Sequence, residues 1–215
     1  MYTKFFKRAF DLIISTVLII IVSPLMVLLA IWIKIDSPGP IIFKQKRCGQ
    51  SNTYFQIYKF RTMRCNTPKD VPTHLLDNSQ NYITHSGSFL RRTSLDELPQ
   101  LFNIFKGDMS FIGPRPALWN QDDLMALRHE NGSSSLRPGL SGWAQIHGRD
   151  EISVIEKAYL DGEYFQNISF FLDVKCLMGT IRPVLKQTGF NDSTSSSQGC
   201  QKSCSYFEQN TTSDL

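Results

Sequence analysis

Two adjacent carboxylates are the residues of this sequence best suited to chemistry: Asp96 and Glu97, within RRTSLDELPQLFN at residues 91–103. A carboxylate can act as a nucleophile or bind Mg²⁺. A structural interpretation competes, because Ser94 and Glu97 fit the S-x-x-E capping box, and acids in a first helical turn interact favourably with the helix dipole. On this stretch alone, the capping interpretation is favoured.

Positively charged side chains recur beside turns that are rich in glycine and proline. These candidates are Lys59 and Arg61 in YKFRTM, Arg92 beside the acids, Arg115 in GPRP and Arg137 in RPGLSG. One arginine in a turn is usually a solvated surface charge. Several of them, together with two acids and a membrane segment, predict a site for a polyphosphate. A helix N-terminus and a neighbouring arginine are also expected to lower the pKa of Asp96.

The composition narrows the class of protein. The 215 residues include 23 Lys+Arg and 19 Asp+Glu, which leaves a net charge of +4. This small and scattered excess suits an anionic membrane surface or a phosphorylated substrate, and it does not support nucleic-acid binding. The five cysteines are odd in number and contain no C-x2-C pair, so we expect no disulfide framework and a reducing compartment for the soluble part.

The apolar stretch at residues 12–33 contains no charged residue and is long enough to span a membrane. Ser23 and Pro24 interrupt it near the middle, where proline removes a backbone hydrogen bond. The halves are each only roughly 14–17 Å long as helix. Basic residues flank both ends, although a spanning helix usually shows a charge asymmetry. The residues alone leave two alternatives equally favoured, a kinked spanning helix and a helix–break–helix that enters and returns.

The remaining chain predicts a mixture of short elements. A β-hairpin is predicted at residues 38–63, a loop at 65–88, a helix from Ser94 to Phe105 that ends at Gly107, and a second helix from about Leu118 to His129. The stretch Asn131–Ser135 is predicted to be flexible, and residues 137–150 to lack regular structure. Residues 169–186 predict an amphipathic helix, either facing the core or lying in the headgroup region.

Three ordered motifs carry a resemblance to a known family: KFRTM, RRTSLDELPQLFNIFKGDMSFIGPRP and RPGLSGWAQ. They resemble the bacterial sugar transferase family, the small monotopic polyprenyl-phosphate phosphoglycosyl transferases that begin O-antigen, capsule or glycoprotein glycan assembly. The resemblance runs from the apolar N-terminal segment to about residue 187.

The resemblance implies an α+β fold with three regions. Residues 1–36 would form a re-entrant membrane helix broken at Ser23 and Pro24. Residues 37–187 would form the catalytic domain, with a small β-hairpin, a compact and mostly helical cytosolic part, and interfacial amphipathic helices. Residues 188–215 are expected to be a disordered polar tail.

The resemblance also implies a two-step reaction. Asp96 would attack the β-phosphorus of a UDP-sugar and release UMP, and polyprenyl phosphate would then take the phosphosugar. Glu97 would hold Mg²⁺. The phosphate or nucleotide contacts would come from Lys59, Arg61, Arg92, Arg115 and Arg137.

The implied setting is the cytoplasmic face of the bacterial inner membrane. The partners are then a UDP-sugar donor, a polyprenyl phosphate acceptor and the bilayer, and homodimer formation stays open. The sequence departs from the usual family pattern at Ser88, at His147 and in the insertion-like Asn131–Ser135. Two rival functions stay open as well: a membrane-anchored, metal-dependent phosphohydrolase and a non-catalytic membrane scaffold.

Overall fold

The computed structural model describes residues 2–67, 82–148 and 152–186. The predicted tail and most of the predicted loop at residues 65–88 lie outside the described residues. In the described part, helices and two small sheets confirm a mixed fold of helix and strand. The helices are α1 (Lys7–Asp36), α2 (His85–Arg92), α3 (Gln100–Lys106), α4 (Asp122–Glu130), α5 (Trp143–His147), α6 (Val154–Gln166) and α7 (Phe170–Lys186). The strands are β1 (Ile42–Cys48), β2 (Tyr54–Phe60), β3 (Ser110–Ile112) and β4 (Gly139–Ser141).

Helix α1 is long and apolar enough to cross a membrane by length and composition. Helical structure continues through Pro24, so the predicted break is wrong at the level of secondary structure. Pro24 has no N–H to donate to the carbonyl of Ile20, four positions earlier. The hydroxyl of Ser23 donates to that carbonyl instead, at 2.9 Å. The Ser-Pro pair therefore supplies its own replacement for the lost backbone hydrogen bond.

One side of α1 packs on the rest of the molecule along the whole helix. The packed side chains are Asp11, Ser15, Leu18, Ile19, Val22, Met26, Leu29, Ala30 and Ile33. They face two core clusters, one around Leu101 and Ile104 of α3 and one around Phe60 and Leu90. Large apolar side chains on the other sides are exposed. The helix is thus apolar both towards the core and away from it.

Both ends of α1 are tied to the same folded unit. At the N-terminal end, Lys7 forms an ion pair with Asp173 of α7. At the C-terminal end, the carboxylate of Asp36 accepts a hydrogen bond from the N–H of Ser86 in α2, at 3.0 Å. The helix therefore lies along the domain and is held at two widely separated points.

The predicted hairpin is confirmed by the antiparallel pair β1–β2, in which Ile42 pairs with Phe60. The free edge of β2 is closed by a side chain. Asn103 of α3 accepts a hydrogen bond from the N–H of Tyr58 at 2.9 Å and donates to the carbonyl of Gln56 at 2.7 Å. The amide of Asn103 thus takes the place of a neighbouring strand and joins the hairpin to α3.

Strands β3 and β4 form a parallel pair, with Ser110 opposite Gly139. The two chains approach closely: a Cβ at Gly139 would lie 2.1 Å from the backbone nitrogen of Gly113. The prediction that residues 137–150 lack regular structure is therefore wrong, because β4 and α5 fall within them. The glycines in this stretch permit close packing of backbone against backbone.

The stretch Asn131–Ser135 is packed, in contrast with the predicted flexibility. The side chain of Asn131 donates to the carbonyl of Ala158 in α6 at 2.7 Å and accepts from the N–H of Ser133 at 3.0 Å. Ser133 is buried. The polar side chains that indicated a mobile loop are instead used to attach this segment to α6.

Helix α7 confirms the prediction for residues 169–186. It buries Cys176 on one side, while Phe171, Leu177 and Met178 are exposed on another. The helix thus has a core-facing side and a separate exposed apolar side. Helices α2 and α6 were not predicted from the sequence. Helix α2 begins inside the segment that was predicted to be a loop.

Candidate active site

The acid pair lies in a 3-10 turn, Leu95–Glu97, between α2 and α3. Asp96 is 9% exposed and Glu97 is half-buried. Ser94 takes the left-handed conformation, with φ of 57°, and forms no side-chain cap hydrogen bond; α3 begins only at Gln100. The capping-box interpretation is therefore wrong. The turn packs on α2 and β2, and those elements hold the acids in place.

Lys59 confirms the predicted proximity of a cation to the acids. Its Nζ lies 2.6 Å from Oε1 of Glu97 and 3.9 Å from Oδ2 of Asp96. Alternation along β2 puts Lys59 on the same face as the buried Ile57, so the strand directs the lysine inward. Lys59, Asp96 and Glu97 thus form one cluster.

Arg91 is a residue near the acids that the sequence analysis missed. It stands in the last turn of α2, is only partly exposed, and donates from Nε to Oγ1 of Thr62 at 2.9 Å. Its charge acts on the carboxyl of Asp96 and lowers the pKa of that group. Arg92, the predicted neighbour, is exposed. Helical spacing contains the signal, because residue 91 follows the buried Gly87 by four positions.

The electrostatics of Asp96 are dominated by burial. Removal from water raises the pKa of the Asp96 carboxyl above its ordinary value, and the negative charge of Glu97 raises it as well. The charges of Lys59 and Arg91 lower it. The net direction is upward, opposite to the expectation from a helix N-terminus. Two cations therefore offset part of the cost of an ionised carboxylate in this buried position.

The acid pair suits Mg²⁺ only with further ligands from outside the protein. Within residues 2–67, 82–148 and 152–186, no three Asp, Glu, His or Cys side chains cluster as metal ligands. Mg²⁺ typically takes one or two carboxylates and completes its six positions with water and substrate phosphates. The two carboxylates of Asp96 and Glu97 match that set of protein ligands. One oxygen of Glu97 is already paired with Lys59.

Arg61 has a structural position at the end of α1. It is 4% exposed, and its Nη2 donates to the carbonyl of Ser37 at 2.6 Å. Its Nη1 donates to the carbonyl of Pro38 at 2.9 Å. These bonds occupy both terminal nitrogens with backbone acceptors, so the predicted substrate contact does not suit this guanidinium.

Arg115 and Arg137 lie in two loops that run side by side. The N–H of Gly139 donates to the carbonyl of Pro114 at 2.8 Å, which joins the GPRP loop to the RPG loop. Both arginines are half-buried. The backbone carbonyl of Arg115 accepts from Nη1 of Arg128 at 3.0 Å. The sequence analysis did not predict this hydrogen bond from Arg128 of α4 to the GPRP loop.

Arg128 is itself held by a buried partner. It forms an ion pair with Asp161 of α6, with an Nη2–Oδ2 distance of 2.6 Å. Both side chains are almost fully removed from solvent. The GPRP loop is thus fixed through Arg128 to two helices.

Comparison with known proteins identifies the family of the chain. A sequence model described as "Bacterial sugar transferase" matches residues 2–187. The chain is 40% identical over 196 residues to the UDP-N-acetylgalactosamine-undecaprenyl-phosphate N-acetylgalactosaminephosphotransferase of Aeromonas hydrophila, covering 86% of this chain and 44% of that protein. It is 36% identical over 185 residues to the UDP-glucose:undecaprenyl-phosphate glucose-1-phosphate transferase of Escherichia coli (strain K12), covering 83% and 40%.

A relative of similar length also matches. The chain is 41% identical over 187 residues to the uncharacterized sugar transferase EpsL of Bacillus subtilis (strain 168), covering 85% of this chain and 89% of that protein. The chain spans less than half the length of the Aeromonas and Escherichia relatives. The family match extends over all the described residues and includes the acid pair and both arginine loops, and the protein belongs to the bacterial sugar transferase family.

Proposed function

We propose that this protein transfers a phosphosugar from a UDP-sugar to polyprenyl phosphate, as the first membrane step of glycan assembly. One observation carries the proposal: a buried carboxylate, Asp96, is placed beside Lys59 and Glu97 and within the field of Arg91. Relatives with this activity in their names support the acceptor and the reaction class. The sugar itself is left to the experiment below.

The first step forms a bond between a carboxylate oxygen of Asp96 and the β-phosphorus of the donor. The bond from that phosphorus to the oxygen bridging it to UMP breaks, and UMP leaves with the electron pair. In the second step an oxygen of polyprenyl phosphate attacks the same phosphorus. Asp96 then leaves as a carboxylate, and polyprenyl-diphosphate-sugar is formed. No proton transfer is needed at the nucleophile, because Asp96 reacts in its ionised form.

Charge neutralisation and positioning are the main requirements of phosphoryl transfer. Glu97 would hold Mg²⁺, which supplies positive charge to the diphosphate when bound. Lys59, which is paired with Glu97, would add its charge to the same phosphates. Arg115 and Arg137 would supply two further cations from adjacent loops, and Arg92, which is exposed, would contact the nucleotide.

The two attached ends of α1 support a helix that enters the membrane and stays on one face. A helix of 30 residues is about 45 Å long, more than the roughly 30 Å apolar core of a bilayer. If α1 crossed the bilayer, its packed side would draw α3 and the hairpin into hydrocarbon, together with Lys59. Basic residues at both ends favour the cytoplasmic side. We therefore propose that the domain lies on the cytoplasmic face of the inner membrane.

The test uses the purified protein in detergent with Mg²⁺ and a panel of UDP-sugars, first without lipid. UMP release and intact protein mass are recorded for the wild type, for Asp96→Asn, and for the exposed matched control Asp122→Asn. We expect a stoichiometric UMP burst and a phosphosugar adduct, both lost only in Asp96→Asn. The donor that gives the burst identifies the sugar.

Three results would contradict this proposal. Lipid product without a burst or an adduct would mean direct transfer. Sugar phosphate released to water, with no lipid product when polyprenyl phosphate is added, would mean a phosphohydrolase. Full function of Asp96→Asn in cells would mean a scaffold.

A further inference from the structure

The C-terminal end of α1 contacts the helix that carries Arg91. Asp36, the last residue of α1, uses Oδ2 to accept two hydrogen bonds from Ser86, one from the backbone N–H at 3.0 Å and one from the hydroxyl at 2.8 Å. Ser86 lies in the first turn of α2 and is fully buried. A carboxylate at this position also interacts favourably with the positive end of the helix dipole.

The same end of α1 is tied to the strand that carries Lys59. Arg61 follows Lys59 by two residues and donates to the carbonyl and the hydroxyl of Ser37, at 2.6 and 2.7 Å. The two cations that act on Asp96 therefore come from two segments that meet at one point, the end of the apolar helix.

Helix α2 is short, so a displacement at its start is passed to its end. From Ser86 to Arg91 the axial rise is only about 7.5 Å. Backbone packing leaves little room for adjustment, because a Cβ at Gly87 would lie 2.0 Å from the carbonyl oxygen of Thr62. Arg91 donates to the hydroxyl of that same threonine. Asp36, Ser86 and Thr62 thus fix the start and the end of α2.

We propose that Asp36 is a positioning residue for the phosphosugar transfer: by holding the start of α2, it keeps Arg91, in the last turn of that helix, in place next to the turn that carries Asp96. This inference rests on the proposed function and deepens it. Asp36 is the last residue of the apolar helix α1. It therefore also links the position of α1 in the membrane to the geometry of the site.

The experiment measures the rate constant of the UMP burst at saturating donor, the donor KM and the unfolding temperature of the full chain. We expect Asp36→Ala to lower the burst rate constant about tenfold or more, since displacement of a catalytic group by about 1 Å can cost about a hundredfold. The donor KM should change less than about twofold. Asp36→Asn keeps an acceptor for the N–H of Ser86 and should recover most of the rate.

A matched control is available at the same end of α1. Lys34 is exposed and donates to the carbonyl of Gly39, at 3.2 Å. Lys34→Ala should leave the burst rate constant unchanged. A double variant then tests the route: if Asp36 acts through Arg91, Asp36→Ala should have no further effect on the burst rate in an Arg91→Ala background.

The possible results distinguish a failure of the role of Asp36 from a failure of the proposed function. In one of them, Asp36→Ala lowers the unfolding temperature and still shows the wild-type burst rate at temperatures well below unfolding. That result would show that Asp36 is only structural and would overturn the inference. Additive effects of Asp36→Ala and Arg91→Ala would overturn it as well, because they would show action by another route. A wild-type protein without a burst would overturn the proposed function, whereas a normal wild-type burst that is slowed by Asp36→Ala, and not slowed further in the Arg91→Ala background, supports the inference.

Discussion

At the scale of single residues, the site combines a buried acid with cations that only partly offset its burial. Asp96 is almost removed from solvent, and burial raises the pKa of its carboxyl. Lys59 forms its short contact with Glu97, and its Nζ is farther from Asp96. Asp96 is therefore left with the longer of the two Lys59 contacts, as suits a nucleophile that must be both charged and reactive.

This balance predicts a trade-off between stability and activity. The pKa of Asp96 is raised in the folded state, so its contribution to stability is present below the unfolded pKa of about 3.9 and is lost as pH rises through the folded pKa. Asp96→Asn removes the charge, and we expect it to abolish the burst while raising the unfolding temperature at pH 7. A gain of about 1 kcal/mol corresponds to about 2–4 °C for a chain of this size.

The measurement is thermal unfolding of both proteins between pH 4 and pH 8, with Asp122→Asn as the exposed control. The difference between Asp96→Asn and the wild type should shrink towards pH 4, where the wild-type carboxyl becomes protonated. An equal or lower unfolding temperature for Asp96→Asn at pH 7 would contradict the argument.

At the scale of elements, α1 shows how a proline is accommodated without a break. The hydroxyl of Ser23 replaces the N–H that Pro24 lacks. Elsewhere in the same helix, Thr16 donates to the carbonyl of Leu12 at 2.7 Å, where no proline removes the backbone donor. The two hydroxyl contacts look alike, but only that of Ser23 satisfies a carbonyl that would otherwise lack a partner.

A double-mutant cycle tests this difference. We expect Ser23→Ala to destabilise the protein by about 1–3 kcal/mol, the range for an unsatisfied polar group out of contact with water. In a Pro24→Ala background the backbone N–H returns, so Ser23→Ala should then be close to neutral. Thr16→Ala is the matched control and should have little effect in either background. Unfolding in detergent is the measurement, and equal effects of Ser23→Ala in both backgrounds would refute the role of the hydroxyl.

At the scale of the whole molecule, α1 is integrated into the fold along its length. Its N-terminal end is held by Arg8, which donates to the carbonyls of Ile104 and Phe105 at 2.6 and 2.8 Å. Its C-terminal end is held by Arg61. The exposed apolar side of α7 adds a second surface suited to the membrane interface. These features are the basis for the proposal that the protein lies on one face of the membrane.

This arrangement predicts that both ends of α1 face the same compartment. Phe5 is exposed just before α1, and the native Cys65 is exposed after it. In a background with Cys200 and Cys204 replaced by serine, Phe5→Cys and Cys65 should both be protected from an impermeant maleimide in intact cells. Both should react in inside-out vesicles. Labelling of only one of them in intact cells would mean that α1 spans the membrane.

Much of this could be predicted from local pattern. Alternation and turn residues predicted the hairpin, helical spacing predicted α7, and the ordered motifs predicted the family and brought attention to the acid pair. Lys59 was correctly associated with the acids because strand and motif coincide. These successes rest on short-range signals, which depend on neighbouring residues and not on distant ones.

The wrong predictions concern residues whose conformation or partner is set by contacts with distant parts of the chain. Ser94 fits a capping box by spacing, but packing of the turn against α2 and β2 puts its backbone in the left-handed region. Arg61 resembles a phosphate ligand in sequence, and its partners became visible only where α1 ends in space. Arg91 was passed over for Arg92 because the helix that sets its direction was not recognised.

The sequence by itself determined the membrane segment, the paired acids and the cationic motifs, because charge and hydropathy are properties of the residues themselves. Only the tertiary structure decided which cations face Asp96 and in which direction the pKa of that acid moves. It also decided how both ends of α1 are held. Burial and the field of a charge depend on which surfaces meet, and those surfaces come from segments far apart in the chain.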